Sequence, residues 1–397
     1  AASPAWNAQG ETAGDAFGTS VAGVGDVNGD GYADLAASAP AYSSNKGKIY
    51  VFHGSAGGIS GSAASPAWSA EGENTSNQFG ASVAGVGDVN GDGYADLAVG
   101  ALGYSGNTGK VYVFHGSASG ITGTAASPAW SAEGQNTSDG FGWSVTGAGD
   151  VNGDGFADLA VGAHGYSSYK GKIYVFHGGA TGLTGTTAGP AWSATGENAS
   201  NNFGYAVAGA GDVNGDGFAD LAVNANNYGA KGKVYLFYGG ASGITGSAAS
   251  PAWSAEGENT SDAFGGSIAG AGDVNGDGFA DLAVGAPGYG SYGGKVYLFH
   301  GGASGITGSA ASPAWNATGQ NTGDNFGYAL AGIRDVNGGG YPDVAAGARF
   351  YNSYRGKVYV FQGGSGRPVM ARQLRSDGTT SVPAWGLAYS TTTARVH

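Results

Sequence analysis

The chain has 397 residues, of which 41% are hydrophobic, 12% are aromatic and 11% are charged, with 82 glycines and a formal charge of −13. This composition is too apolar for a disordered chain, and it is typical of short strands joined by tight turns. The absence of cysteine excludes disulfides and zinc–thiolate sites, and the 16 Lys and Arg residues form no dense basic patch, so we expect no nucleic-acid partner. No apolar run reaches eighteen residues, so we expect no direct membrane insertion.

The chain starts with the phrase Ser3-Pro4-Ala5-Trp6 and then runs through six copies of a unit of about 62 residues. In the copy that starts at Phe79, the pattern predicts strands over 79–86, 95–101, 109–116 and 127–133. Both faces of the third strand are apolar, as expected for a sheet packed between two neighbouring sheets. Four strands per copy predict one antiparallel blade of an all-β propeller.

An acidic loop of nine residues follows the first strand of every copy. The first loop reads Asp26-Val27-Asn28-Gly29-Asp30-Gly31-Tyr32-Ala33-Asp34, and the others start at Asp88, Asp150, Asp212, Asp273 and Asp335. Oxygen-bearing side chains occupy positions 1, 3, 5 and 9, position 7 offers a backbone carbonyl, and the glycine at position 6 permits a sharp turn. Calcium prefers such an oxygen-only, carboxylate-rich set of ligands.

The alternative is an ordinary polar turn, because Asn-Gly and Asp-Gly pairs are also common in hairpins. Electrostatics favours an ion, since two carboxylates about 5 Å apart repel by roughly 3 kcal/mol at an effective dielectric constant of 20. We therefore predict five strong calcium sites and a sixth that is weak or absent, because Gly339 replaces the position-5 carboxylate there. The predicted metal residues are Asp26, Asn28, Asp30, Tyr32, Asp34, Asp88, Asn90, Asp92, Tyr94, Asp96, Asp150, Asn152, Asp154, Phe156, Asp158, Asp212, Asn214, Asp216, Phe218, Asp220, Asp273, Asn275, Asp277, Phe279, Asp281, Asp335, Asn337, Tyr341 and Asp343.

The segment from Phe79-Gly80 through the acidic loop to Gly100-Ala101 resembles the FG-GAP repeat of the integrin α-subunit β-propeller. Phe-Gly recurs in all six copies, whereas Gly-Ala-Pro is complete only at 285–287. The resemblance covers about residues 1–364. It implies a propeller whose hairpin loops bind calcium, and it does not imply the ligand of an integrin.

We predict a propeller domain over 1–365, with repeats at about 17–78, 79–140, 141–202, 203–263, 264–325 and 326–365. Residues 1–16 would supply an outer strand that pairs with the last blade and closes a ring of six blades. Residues 366–397 depart from the repeat, and we interpret them as the start of a following domain. A seventh blade that uses this tail is the alternative, and the integrin relatives have seven blades.

The loops opposite the acidic turns vary most between copies, which is how binding surfaces are built on a constant scaffold. Candidate ligand-binding residues there are Tyr42, Tyr104, His164, Tyr166, Tyr228, Tyr289, Arg349 and Tyr351. Packing of the blade shoulders is the simpler explanation for the six tyrosines. Trp143 stands outside the repeated tryptophans, and the repeat pattern does not explain it.

The sequence contains no Gly-x-Ser-x-Gly elbow, no His-Glu-x-x-His and no cysteine nucleophile, so we predict no enzyme. The predicted function is recognition or adhesion by a secreted or cell-surface protein, because weak calcium loops fill at extracellular concentrations. The partner would be a protein or a glycan, and the chain would be a monomeric domain of a larger protein. The alternatives are a carbohydrate-binding lectin and a non-catalytic domain of a larger secreted enzyme.

Overall fold

The computed structural model describes residues 4–364 and 369–370. It contains six antiparallel sheets, and in each one the strands lie in sequence order from the inner strand to the outer edge. The six repeats therefore form the six blades of a β-propeller, which confirms the predicted all-β fold. No helix in the described part of the chain is long and apolar enough to cross a membrane.

The strands, in chain order, have the following bounds. Blade 1 contains β1 (Val21–Gly25), β2 (Asp34–Ala39), β3 (Lys48–Phe52) and β4 (Trp68–Glu71), and blade 2 contains β5 (Phe79–Gly87), β6 (Asp96–Ala101), β7 (Lys110–Phe114) and β8 (Trp130–Glu133). Blade 3 contains β9 (Phe141–Gly149), β10 (Asp158–Ala163), β11 (Lys172–Phe176) and β12 (Trp192–Thr195), and blade 4 contains β13 (Phe203–Gly211), β14 (Asp220–Ala225), β15 (Lys233–Phe237) and β16 (Trp253–Glu256). Blade 5 contains β17 (Ser267–Gly272), β18 (Asp281–Ala286), β19 (Lys295–Phe299) and β20 (Trp315–Thr318), and blade 6 contains β21 (Phe326–Ile333), β22 (Asp343–Ala348), β23 (Lys357–Gln362) and β24 (Val369–Met370).

A short helical turn joins the second strand of each blade to the third. Its residues are Tyr42–Asn45, Tyr104–Asn107, Tyr166–Tyr169, Tyr228–Ala230, Tyr289–Tyr292 and Tyr351–Tyr354. The backbone inside the first of these turns is left-handed, with φ values of 50° at Ser43 and 61° at Ser44. The turn is therefore not a regular α-helix. Its side chains form part of one loop face of the propeller.

The core lies between adjacent blades, because the sheets of consecutive blades pack face to face. Val24 and Val51 of blade 1, for example, belong to the same buried cluster as Leu97 and Tyr112 of blade 2. Comparable clusters join every later pair of consecutive blades up to the sixth. This packing explains why the third strands are apolar on both faces.

The inner strands approach one another closely, which explains their small residues. A β-carbon added to Gly85 would lie 2.6 Å from the Cα atom of Val24 in the preceding blade. The equivalent contact recurs where Gly147 meets Val86 of blade 2, at 2.9 Å. Larger side chains at these positions would force the blades apart.

The predicted closure of the ring by the N-terminal strand stays a prediction. Trp6 packs on Phe52 of blade 1 with ring centroids 5.0 Å apart, as Trp68 packs on Phe114 at 5.1 Å. Trp68 belongs to the outer strand of blade 1 and packs on blade 2, so Trp6 takes the equivalent place one blade earlier, although the N-terminal segment forms no strand among the described residues. The outer edge of blade 6 pairs with β24, where Phe361 lies opposite Met370.

The contacts that join successive blades do not recur between blade 6 and blade 1 in the described chain. No described atom lies within 4 Å of a β-carbon added to Gly23, the first-blade equivalent of Gly85. Val21 and Val358 are 56% and 69% exposed, although their blades pack tightly on the other side. The seventh-blade alternative and the proposed following domain fall on residues 366–397, of which the structure describes only residues 369–370.

Candidate cation loops and the opposite loop face

The acidic loops are wound around the carboxylate at position 1. In the second loop the Asp88 carboxylate accepts hydrogen bonds from the backbone N–H groups of Gly91 at 2.6 Å and Gly93 at 2.7 Å. Both glycines have positive φ, 74° and 89°, which explains why glycine occupies positions 4 and 6. Asn90 and Asp92 accept further backbone N–H groups, so all of these oxygens converge on one short turn.

The position-9 aspartate anchors each loop to the body of the blade. Asp96 is fully buried, and its two oxygens accept the N–H groups of Val89 and Gly116, both at 2.8 Å. Burial, together with the charges of Asp92 and Asp88, raises the pKa of Asp96 to about 7, although the hydrogen bonds from Val89 and Gly116 oppose the rise. Asp88 and Asp92 are therefore close enough to disfavour the charged form of Asp96.

The same pattern recurs in other loops. Burial raises the pKa values of Asp220 and Asp281 to about 7, and two carboxylates of the same loop contribute in each case. Among the described residues, no group of three or more His, Asp or Glu side chains is already arranged as a metal site. The donor chemistry nevertheless fits a hard divalent cation, because a positive charge would offset both the burial and the mutual repulsion of the carboxylates.

The aromatic residue at position 7 links neighbouring loops, a role that the sequence pattern did not reveal. A β-carbon added to Gly29 would lie 2.6 Å from the Tyr94 ring of the next loop, and Gly91 meets Phe156 in the same way at 2.5 Å. The same contact recurs up to Gly276 and Tyr341, whereas no described atom lies within 4 Å of a β-carbon added to Gly338 of the sixth loop. The acidic loops are thus interlocked from the first to the sixth on one face of the propeller.

The sixth loop has a different arrangement. In the second loop the Asn90 amide donates to Asp92 at 2.9 Å, but position 5 of the sixth loop is Gly339. The Asn337 amide donates instead to Asp343 at 3.3 Å. The amide thus turns towards the position-9 carboxylate, and one anionic oxygen donor is missing.

The predicted ligand-binding tyrosines lie on the opposite loop face, where each one packs against a lysine. Lys110 Nζ lies 4.7 Å from the ring centroid of Tyr104 and 4.9 Å from that of Tyr112. Equivalent lysines contact Tyr42, Tyr166, Tyr228, Tyr289 and Tyr351. These contacts favour packing as the role of the six tyrosines.

A glutamate from the preceding repeat completes this cluster. Glu73 accepts from Lys110 Nζ at 2.9 Å and from the Tyr112 hydroxyl at 2.8 Å, and the Lys110 side chain is only 12% exposed. Burial by itself would raise the pKa of Glu73, but the hydrogen bonds from Lys110 and Tyr112 outweigh it and hold that pKa below its ordinary value. The cluster joins blade 2 to the connection that leads into it.

Glu73→Ala is expected to lower the free energy of unfolding by about 2 kcal/mol, because the Tyr112 hydroxyl loses its acceptor and the largely buried Lys110 ammonium group keeps only the more distant Glu133, at 3.5 Å. Glu73→Gln should cost less than half as much, since Gln135 accepts from Lys172 and Tyr174 at the equivalent place. The charge of Glu73 stabilises the fold above its unfolded pKa of about 4.3, and this contribution is lost as pH falls through the lower folded pKa. Urea unfolding at pH 7 and pH 3.5 measures both effects, and an equal loss for both variants would contradict this role.

The structure explains Trp143. The residue after each Phe-Gly lies beside the variable residue that follows the second strand of the same blade. Trp143 thus packs on His164 with ring centroids 4.2 Å apart, and Tyr328 accepts a hydrogen bond from Arg349 at 2.6 Å. Sequence reasoning selected His164 and Arg349 but missed their partners, although the residues after Phe-Gly vary in the same way. These residues are Thr19, Ala81, Trp143, Tyr205, Gly266 and Tyr328.

Comparisons with known proteins agree with this architecture. The FG-GAP repeat model matches residues 17–52, 79–114, 141–176, 203–237, 264–299 and 326–361, together more than half of the chain. Integrin alpha-V of Gallus gallus is 34% identical over 223 residues, which are 52% of this chain and 20% of that protein. Integrin alpha-PS2 of Drosophila melanogaster is 35% identical over 191 residues, which are 43% of this chain and 13% of that protein.

The chain thus spans a fifth or less of the length of these two relatives. Among solved structures, a Bacteroides uniformis protein assigned as a 6-phosphogluconolactonase matches with a TM-score of 0.52 at 11% identity, covering 92% of this chain and 83% of that one. This likeness shows a shared fold alone. The six matched repeats decide the family: the chain belongs to the FG-GAP repeat proteins and resembles integrin α subunits in sequence.

Proposed function

We propose that this protein is an extracellular, calcium-stabilised module for recognition or adhesion, which binds a protein or a glycan through the loop face opposite the acidic turns. One observation carries the proposal: the two faces of the propeller differ in how they vary. The acidic loops keep nearly the same residues in every blade, whereas the paired positions on the opposite face, such as Trp143 with His164 and Tyr328 with Arg349, change from blade to blade.

Hydrogen bonds define the two faces. The N–H group of Gly116 donates to Asp96, so the turn between the third and fourth strands lies beside the acidic loop. The N–H group of Gly103 donates to the carbonyl of Asn77 at 3.0 Å, so the loop after the second strand lies beside the connection between blades. The acidic loops therefore lie on one face, and the variable pairs lie on the other, which we call the variable face.

Calcium has a structural role in this proposal. The side chains at positions 1, 3, 5 and 9 and the carbonyl at position 7 would hold the ion, as in Asp88, Asn90, Asp92, Asp96 and Tyr94. A bound ion supplies positive charge that offsets the repulsion between these carboxylates. The interlocked aromatic rings at position 7 would transmit this stabilisation from one blade to the next.

Similarity to integrin α subunits supports recognition without catalysis, and it supports a cell-surface or secreted setting. The activity assigned to the Bacteroides protein does not transfer, because at 11% identity the two chains share only a fold. We therefore assign no catalytic residue, and we propose that the chain acts as one module of a larger protein.

The proposal is tested by placing a bulky charge on either face of the calcium-loaded protein. Thr75→Lys on the variable face is expected to weaken binding at least tenfold in a panel of immobilised extracellular-matrix proteins and glycans, because a lysine at the contact must be desolvated. Ser119→Lys lies in the turn beside the acidic loops and is the matched control, since both residues are exposed. Surface plasmon resonance measures the change, and equal loss in both variants would contradict the assignment of the faces.

A further inference from the structure

The variable face contains a pocket that follows directly from the sizes of the paired residues. The position after Phe-Gly is small in the first two blades, Thr19 and Ala81, but it is Trp143 in the third. The small side chains leave a pocket of about 470 Å³ beside the indole ring. This volume lies within the range of small-molecule sites in proteins, about 300–1,000 Å³.

The lining combines apolar surface with a few neutral polar groups. Trp143, Leu102 and Pro40 contribute the apolar part. Asn45 and Gln78 contribute amide groups, and Thr19 contributes a hydroxyl that donates to the Ala16 carbonyl at 2.7 Å and can still accept from a ligand. None of the lining residues carries a charge, although the whole chain has a formal charge of −13.

The amide groups in this pocket are available to a ligand. The side chains of Asn45 and Gln78 make no hydrogen bond to another side chain or to the backbone within the described residues. In blade 4 the equivalent of Gln78 is Asn202, whose amide is already used in a 3.1 Å hydrogen bond to Asn226. The free amides are therefore a feature of this pocket and are not shared by every repeat.

Trp143 is held in place as a platform. His164 packs against one side at 4.2 Å between ring centroids, and Tyr205 of the next blade packs at 5.2 Å. Burial lowers the pKa of His164 to about 4, so its ring is neutral at pH 7. A ligand therefore meets a fixed aromatic surface with no positive charge behind it.

We infer that this pocket binds a neutral saccharide, with a sugar ring stacked on Trp143 and its hydroxyl groups paired with Asn45, Gln78 and Thr19. A pyranose ring has one apolar C–H face and a rim of hydroxyl groups, which matches an aromatic surface bordered by amides. An acidic or basic ligand would leave water for a pocket without a countercharge, and this is costly. The inference depends on the proposed recognition by the variable face and gives that face a ligand class.

The test is a glycan array, followed by isothermal titration calorimetry, on the full chain in calcium. The array carries neutral and sialylated glycans, and the titrations use lactose, maltose and cellobiose as probes. We expect signals from neutral glycans only, with binding weakened at least tenfold by Trp143→Ala and by less by Trp143→Phe. Ser119→Lys is the control, because Ser119 is exposed in the turn beside the acidic loops and lies outside the pocket, and it should bind as the wild type does.

Thermal melts of each variant distinguish loss of the site from loss of the fold, and Gln78→Ala provides a second variant that leaves the aromatic cluster intact. Retained glycan binding in folded Trp143→Ala and Gln78→Ala would overturn the inference. Wild-type protein that binds no neutral glycan, or binds only sialylated glycans or matrix proteins, would also overturn it. Binding of matrix proteins that Thr75→Lys abolishes would leave the proposed recognition function in place, so the two failures are distinguishable.

Discussion

Removal of calcium is expected to destabilise the protein by about 7 kcal/mol. If free calcium is tenfold above the dissociation constant of each site, linkage gives roughly 1.4 kcal/mol per site, and five sites give about five times this value. The sum is comparable with the whole free energy of unfolding of a typical domain, about 5–15 kcal/mol. Differential scanning calorimetry should show a fall of the melting temperature on the order of 10 °C in excess chelator.

Two reciprocal variants provide the control for this experiment. Asp92→Gly copies the sixth loop into the second and should remove one ion, whereas Gly339→Asp restores the missing carboxylate and should add one. A β-carbon at Gly339 would meet only the flexible Asn337 side chain, at 2.6 Å, so the added side chain has room after a small adjustment. Titration calorimetry on chelator-stripped protein counts the ions. An unchanged melt in chelator, with no heat on calcium addition, would show that the loops are ordinary polar turns.

Gly109→Ala is expected to lower the free energy of unfolding by about 3 kcal/mol or more. Gly109 has a φ of +81°, and an added β-carbon would lie 2.1 Å from the carbonyl oxygen of Phe141 in the next blade. A left-handed backbone costs a non-glycine residue roughly 1–2 kcal/mol, and relief of the overlap adds about 1–3 kcal/mol. Chemical denaturation in saturating calcium measures the change without interference from the loops.

Gly58→Ala separates the cost of the left-handed backbone from the cost of the steric overlap. Gly58 also has a positive φ, +92°, but no described atom lies within 4 Å of the added β-carbon. This variant should lose only about 1 kcal/mol, the cost of the left-handed backbone. If both variants lose the same free energy, the close approach between blades 2 and 3 contributes nothing to stability.

Much of each blade is predictable because its determinants repeat locally. The second copy was expected to form strands over 79–86, 95–101 and 109–116, and the structure has Phe79–Gly87, Asp96–Ala101 and Lys110–Phe114. The outer strand starts later than predicted, at Trp130, because Thr124 and Ser127 form a tight turn before it. The alternation of side chains and the choice of turn residues depend only on positions a few residues away, so a repeat pattern reveals them.

Contacts between blades were less accessible to sequence reasoning. Glu73 and Lys110 are 37 residues apart, and Gly29 meets Tyr94 only because two acidic loops lie side by side. Trp143 was unexplained in the sequence because its partners His164 and Tyr205 belong to two different blades. Such pairs depend on how the sheets are stacked, which no local pattern specifies.

The sequence by itself determined the all-β class, the six blades, the oxygen-rich loops and the missing carboxylate of the sixth loop, because each follows from the residue spacing inside one repeat or from the number of repeats. Only the tertiary structure decided how the ends of the described chain are placed. Trp6 is bound to Phe52 of blade 1, and the edge of blade 6 pairs with β24. The physical reason is that closure depends on the angle and spacing between whole sheets, and these are set by side-chain volumes on facing surfaces and by inner-strand contacts such as that of Gly85 with Val24.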